Sequence, residues 1–176
     1  MKRYLGLLSL ILTLLAAANT FSQAAKPAVV NEAAPAFSLT SIKNEKFDLA
    51  ELRGKVVVLN FWFTGCEPCV AEFPKLNRLV DKFKHKDVVF LAPTWDAAAV
   101  LPGFLKEHPF KYHVVPNAGS LIINTYHDGT GNIVFPTHIV IDREGKINTR
   151  MTGVKQLDHL SKAIDELAKH DPKKDK

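Results

Sequence analysis

The 176-residue chain is poor in cysteine and in net charge, and each scarcity removes a class of function. There are two cysteines, Cys66 and Cys69, and no second pair. A structural zinc site wants four ligands, and the seven histidines show no tight pairing that would complete one. No cysteine lies near the N-terminal segment, which excludes a lipoprotein anchor. The longest apolar run, Tyr4 to Ala18, holds 15 residues and is short for a membrane span. Lys and Arg number 23 against 18 Asp and Glu, scattered instead of striped, so a nucleic-acid partner is set aside. No internal repeat and no interdomain linker interrupts the sequence. Its length is one domain's worth, enough to bury a proper core.

What is present starts with the N-terminus. Met1-Lys2-Arg3 supplies positive charge, the apolar run follows, and small residues precede Ala24. This is the layout of a secretory signal peptide over 1–24, with an uncleaved N-terminal anchor as the alternative. A membrane association is expected only in the uncleaved case. Without Lys2 and Arg3 the balance is 21 basic against 18 acidic residues. The folded part, 25–176 with a core at about 34–168, is therefore expected outside the cytoplasm, in the periplasm or envelope of a bacterium. Disulfide chemistry is possible there.

Ala36–Thr40 and Lys46–Leu49 alternate apolar and polar residues around a Lys43-Asn44-Glu45 turn, predicting a short hairpin. Leu49–Leu52 predicts one helical turn, stopped by Gly54. Val56–Phe61 reads as a strand buried on both faces. Val70, Phe73, Leu76, Leu79, Val80 and Phe83 then recur at helical spacing, with Pro74 inside the helix. A second buried strand is predicted over Asp87–Ala92, a helix over Ala97–Lys106, a strand over Lys111–Val115 and a helix over Ser120–Tyr126. Thr137–Ile141 and Lys146–Met151 form a hairpin around Gly145, and Leu157, Leu160, Ile164 and Leu167 mark a last helix. The order gives an α/β fold, one βαβ half plus one ββα half, which is the thioredoxin arrangement.

The chemistry centres on Cys66-Glu67-Pro68-Cys69, where strand gives way to helix. A sulfur at a helix N-terminus sits near unpaired N–H groups and the positive end of the dipole, both favouring thiolate. Cys66 would attack a partner disulfide and Cys69, one turn on, would resolve the mixed disulfide. Pro68 fits the first turn. Glu67 adds negative charge beside the thiol, opposing the dipole and favouring a milder, reducing thiol. The competing readings are a structural disulfide, whose loop is too short to stabilise much, and half of a zinc site.

Phe61 to Pro74, which reads FWFTGCEPCVAEFP, resembles extracytoplasmic thioredoxin-like proteins of the TlpA and ResA type. Ala34–Leu39, Arg53-Gly54-Lys55 and Phe135–Lys146 extend the resemblance over about residues 34–168. It implies a thioredoxin-like fold with a central mixed sheet flanked by helices, an N-terminal β-hairpin extension and a central βα insertion. It implies a redox-active Cys66–Cys69 disulfide with no external cofactor and no metal. Pro136 matches the family's cis-proline, with Phe135 pairing to a substrate peptide, and Trp62 is expected to contact substrate. Glu72 matches a glutamate that assists proton transfer. The resemblance implies protein thiol or disulfide substrates, apocytochrome c among the candidates, a membrane thiol–disulfide electron donor, and reductive flow. Asn60 stands where cytoplasmic thioredoxins carry a buried aspartate, so another acid–base group is expected.

Two departures stand out. Gly65 replaces a frequent tryptophan before Cys66, and His138 replaces a smaller or apolar residue, read here as a packed strand residue. Two other functions compete with thiol–disulfide exchange. A peroxiredoxin-like peroxidase would need a proline and a threonine where Leu59 and Phe63 stand. A copper-binding assembly factor would use both thiols with a histidine such as His127 or His138, and such proteins usually space their cysteines more widely.

Overall fold

The computed structural model describes residues 28–154 and 156–169. The expected signal segment over 1–24 lies outside them. Alternation at the start pairs as predicted: β1 (Ser38–Thr40) runs antiparallel to β2 (Lys46–Asp48), with Leu39 opposite Phe47. Asn44 supplies the left-handed φ of 62° at the turn. Leu49–Leu52 is not a helical turn. It makes tight turns closed by Glu51 N–H to Asp48 O (3.0 Å) and Leu52 N–H to Leu49 O (3.3 Å).

The central sheet contains β3 (Val56–Phe61), β4 (Val88–Pro93), β5 (His113–Val115), β6 (Thr137–Ile141) and β7 (Ile147–Thr152). Their spatial order is β5-β4-β3-β6-β7. β3, β4 and β5 are parallel, and β6 is antiparallel to both β3 and β7. A parallel pair needs a crossover, and α1 (Glu67–Lys82) provides it between β3 and β4. The other helices are α2 (Leu101–Glu107), α3 (Gly119–Asn124) and α4 (Leu157–Lys169). α2 and β5 are the central βα insertion, with β5 added beyond β4.

Several boundaries differ from expectation. The helix expected from Ala97 begins at Leu101, with Pro102 in its first turn, where a missing N–H costs little. The strand expected from Lys111 begins at His113. α3 stops at Asn124 because Thr125 and Tyr126 both donate to Leu121 O, and Tyr126 turns into the core.

All six residues of β3 are buried, and alternation sends them to two cores. Val56 and Val58 join Phe73, Leu76, Leu160 and Ile164 beneath α1 and α4. Val57, Leu59 and Phe61 join Phe37, Leu49, Ile122 and Tyr126 on the opposite face. Each such aliphatic or aromatic side chain contributes roughly 1.5–3 kcal/mol by burial. Gly145 closes the β6–β7 turn at φ 77°, a backbone conformation that glycine adopts without the strain a side chain would bring.

Candidate active site

The polypeptide leaves β3 at Phe61 and enters α1 at Glu67, so the intervening loop is short and held at both ends. Cys66 is the N-cap residue of α1, and its Sγ accepts the Cys69 N–H at 3.3 Å. A helix start leaves its first N–H groups without helical partners, and here one of them points at the sulfur. Negative charge on that sulfur is therefore favoured by a hydrogen bond and by the dipole together. Cys66 and Cys69 are joined in a disulfide, with Cα atoms 5.3 Å apart. Cys66 is 5% exposed and Cys69 is 1% exposed. Pro74 sits inside α1 and withholds one helical hydrogen bond.

The loop is anchored from the end of β4. Thr64 donates its N–H and its hydroxyl to the Asp96 carboxylate, and Thr94 Oγ1 donates to the same group at 2.7 Å. Nothing in the local pattern signalled Asp96, which is 32 residues away from Thr64.

The Phe135–Pro136 peptide bond is cis. The Phe135 ring meets Phe63 edge-on at 5.1 Å and Trp95 at 4.7 Å, while Phe63 and Trp95 lie 4.7 Å apart. These three rings form an aromatic shelf beside the loop, and Trp95 is 40% exposed. A Cβ on Gly65 would meet the Phe63 ring at 3.2 Å, so the glycine leaves room for that ring. The expected substrate contact by Trp62 is corrected. Trp62 is wholly buried, its indole N–H donates to Ala92 O at 3.3 Å, and its ring packs on Phe73, Phe104 and Phe110. It supports the site from beneath, and the exposed aromatic is Trp95.

Glu72 lies on the buried face of α1, one turn after Cys69. It is not an exposed helix carboxylate: its Oε2 is 3.2 Å from Nε2 of His138. His138 is a packed strand residue, as expected, and its Nδ1 is 3.1 Å from Nδ2 of Asn60. Burial, and then the Glu72 charge, push the Tyr112 phenol well above its usual range, so it stays protonated. Among the described residues no group of three or more His, Cys, Asp or Glu is placed to hold a metal ion. His127 Nδ1 instead accepts the N–H groups of Gly129 and Gly131.

A family model described as "AhpC/TSA family" matches residues 30–150, more than half of the sequence. The chain belongs to the AhpC/TSA family. Within this family it is 35% identical over 132 residues to the thiol-disulfide oxidoreductase ResA of Bacillus cereus, covering 74% of each chain. It is 30% identical over 167 residues to the ResA of Geobacillus kaustophilus, covering 90% of this chain and 92% of that one. A crystal structure of a thiol:disulfide interchange protein of the thioredoxin family from Chlorobium tepidum superposes with TM-score 0.67 at 25% identity. That match covers 78% of this chain and 96% of the other. This AhpC/TSA member thus has a thioredoxin-like fold and the activity of a thiol–disulfide oxidoreductase, with the Cys66–Cys69 pair as its redox group. No helix among the described residues is long and apolar enough to cross a membrane.

Proposed function

We propose that Cys66 is the nucleophile and Cys69 the resolving thiol of an exported reductant acting on protein disulfides. The observation that carries this reading is the Cys69 N–H aimed at Sγ of Cys66 on the N-cap of α1. In the reduced protein the Cys66 thiolate attacks a substrate disulfide, and one substrate sulfur leaves as thiolate. Glu72 takes the proton of Cys69. The Cys69 sulfur then attacks Cys66, the mixed disulfide breaks, and the second substrate thiolate departs. Two electrons pass to the substrate, and the protein ends as the Cys66–Cys69 disulfide. Pro136 and the backbone at Phe135 pair with the substrate segment, and the Phe63–Trp95–Phe135 shelf flanks it.

Residues 1–24 direct export to the bacterial envelope, and a membrane dithiol donor returns the electrons. Apocytochrome c haem-site cysteines are the candidate substrate to which the ResA resemblance points. The test is a Cys69→Ser variant expressed in its native host. Cys66 is expected to accumulate covalent mixed disulfides with exported proteins, identifiable after separation without reductant. Absence of any trapped protein would overturn the assignment. A reduction potential as oxidising as about −120 mV would reverse the direction.

A further inference from the structure

A buried polar chain links β3 and β6 to the buried face of α1. Asn60 on β3, His138 on β6 and Glu72 on α1 are 1%, 1% and 7% exposed. Antiparallel pairing sets Asn60 directly opposite His138. Alternation turns both toward α1, the face that carries Val58 and Val140. No spacing in the sequence links these residues, because three separate elements contribute them.

Their chemistry is directional. An amide nitrogen can only donate, so Nδ1 of His138 accepts from Asn60 at 3.1 Å. The ring proton of neutral His138 is then on Nε2, which donates to Glu72 Oε2 at 3.2 Å. Asn60 Oδ1 is buried with no hydrogen bond among the described residues, so the amide's one bond is the one that sets the ring. Burial disfavours a carboxylate, and a donated hydrogen bond favours it.

We propose that His138 is a positioning residue for the resolving step: its Nε2–H holds the buried Glu72 carboxylate in place to take the proton of Cys69. This rests on Glu72 being that base. The S–H proton passes to Glu72, the Cys66–Cys69 bond forms, the Cys66–substrate bond breaks, and the substrate sulfur leaves with the electron pair. Other titratable groups face Glu72. The two cysteines share its helix, Tyr112 approaches from the segment before β5, and Lys75, Arg78, Lys82 and Asp158 line the groove on its open side. Among the described residues none of these donates a hydrogen bond to it.

The experiment follows decay of the mixed disulfide after rapid mixing of reduced protein with glutathione disulfide, by acid quench and mass spectrometry, across pH. Glu72→Gln is expected to slow resolution on the order of 100-fold at neutral pH. His138→Leu is expected to slow it roughly 10-fold. Both deficits should close at high pH, where Cys69 ionises without a base. The double variant should be no slower than Glu72→Gln, and His138→Gln, which keeps an amide donor, should recover most of the rate. A wild-type rate in His138→Leu, or losses that multiply in the double variant, would overturn the role of His138 alone. A wild-type rate in Glu72→Gln would instead sink the reading of Glu72 as base, and this inference with it. If His138→Leu does not fold, nitrogen NMR of the wild-type ring decides. A proton on Nε2 with Nδ1 bare supports the assignment, and a neutral ring protonated at Nδ1 refutes it.

Discussion

The backbone N–H of Thr64 lies 2.8 Å from Oδ2 of Asp96, and the Thr64 hydroxyl lies 3.2 Å from Oδ1. One carboxylate thus joins the loop that presents Cys66 to the end of β4, and Asn117 N–H closes on the Asp96 carbonyl at 2.9 Å. Hydrogen bonds to a charged acceptor are worth roughly 1.5–3 kcal/mol. Asp96→Ala is expected to lower unfolding stability by about 2 kcal/mol, and Asp96→Asn by less, because an amide oxygen can still accept. Urea denaturation measures this, and equal midpoints for wild type and Asp96→Ala would refute it.

Trp95 is the exposed ring of the aromatic shelf, while Trp62 is sealed in the core. Trp95→Ala is expected to lower kcat/KM for a protein disulfide about 5-fold, the effect of losing one aromatic anchor. Turnover of a small disulfide such as hydroxyethyl disulfide should not change, since it does not reach the shelf. Equal losses on both substrates would mean that Trp95 acts on the dithiol itself.

His113 Nδ1 is 2.7 Å from Glu45 Oε2 and ties β5 to the N-terminal hairpin. That hydrogen bond first holds the Glu45 carboxyl below its ordinary 4.5, working against desolvation and with further help from Ser41. A depressed carboxylate stabilises above its unfolded value and loses the contribution as pH falls through the folded one. Both side chains are about 40% exposed, at 38% and 41%, so screening leaves only a few tenths of a kcal/mol. The stability gap between wild type and Glu45→Gln should therefore be small at neutral pH, shrink as pH falls below 4.5, and vanish once pH has passed the lowered Glu45 value. A gap that grows in acid would contradict the sign.

Tyr126 is wholly buried, and its hydroxyl donates to Pro35 O at 2.8 Å. Burial pushes the phenol far above its usual range, so it remains a donor at every working pH. Tyr126→Phe should cost about 1 kcal/mol, the net worth of one neutral hydrogen bond. Tyr126→Ala should cost roughly 3–5 kcal/mol through the cavity it opens. Thermal denaturation of the two variants separates the bond from the ring.

The site was legible to unequal depth. Cys66, Glu67, Pro68 and Cys69 are contiguous, so strand-to-helix change of period was enough to place a dithiol at a helix N-terminus, and the structure has it there. Helical spacing also marked the buried face of α1 and the core positions Leu160 and Ile164 of α4. Exact boundaries were less visible, as in α2, where residues before Leu101 make a turn although they look helical.

By itself the sequence determined what depends on neighbours along the chain: hairpin pairing, periodicity, the N-cap sulfur and the crossover that makes β3 and β4 parallel. Tertiary structure alone decided what depends on distance between elements. Residues 61 and 62 are both large and aromatic, and in a run buried on both faces no alternation showed that neither ring reaches solvent. Asp96 meets Thr64, and His138 meets Glu72, only because the sheet register and the packing of α1 bring them there. Periodicity names the face a side chain points to. Which partner waits on that face is settled by how the layers pack.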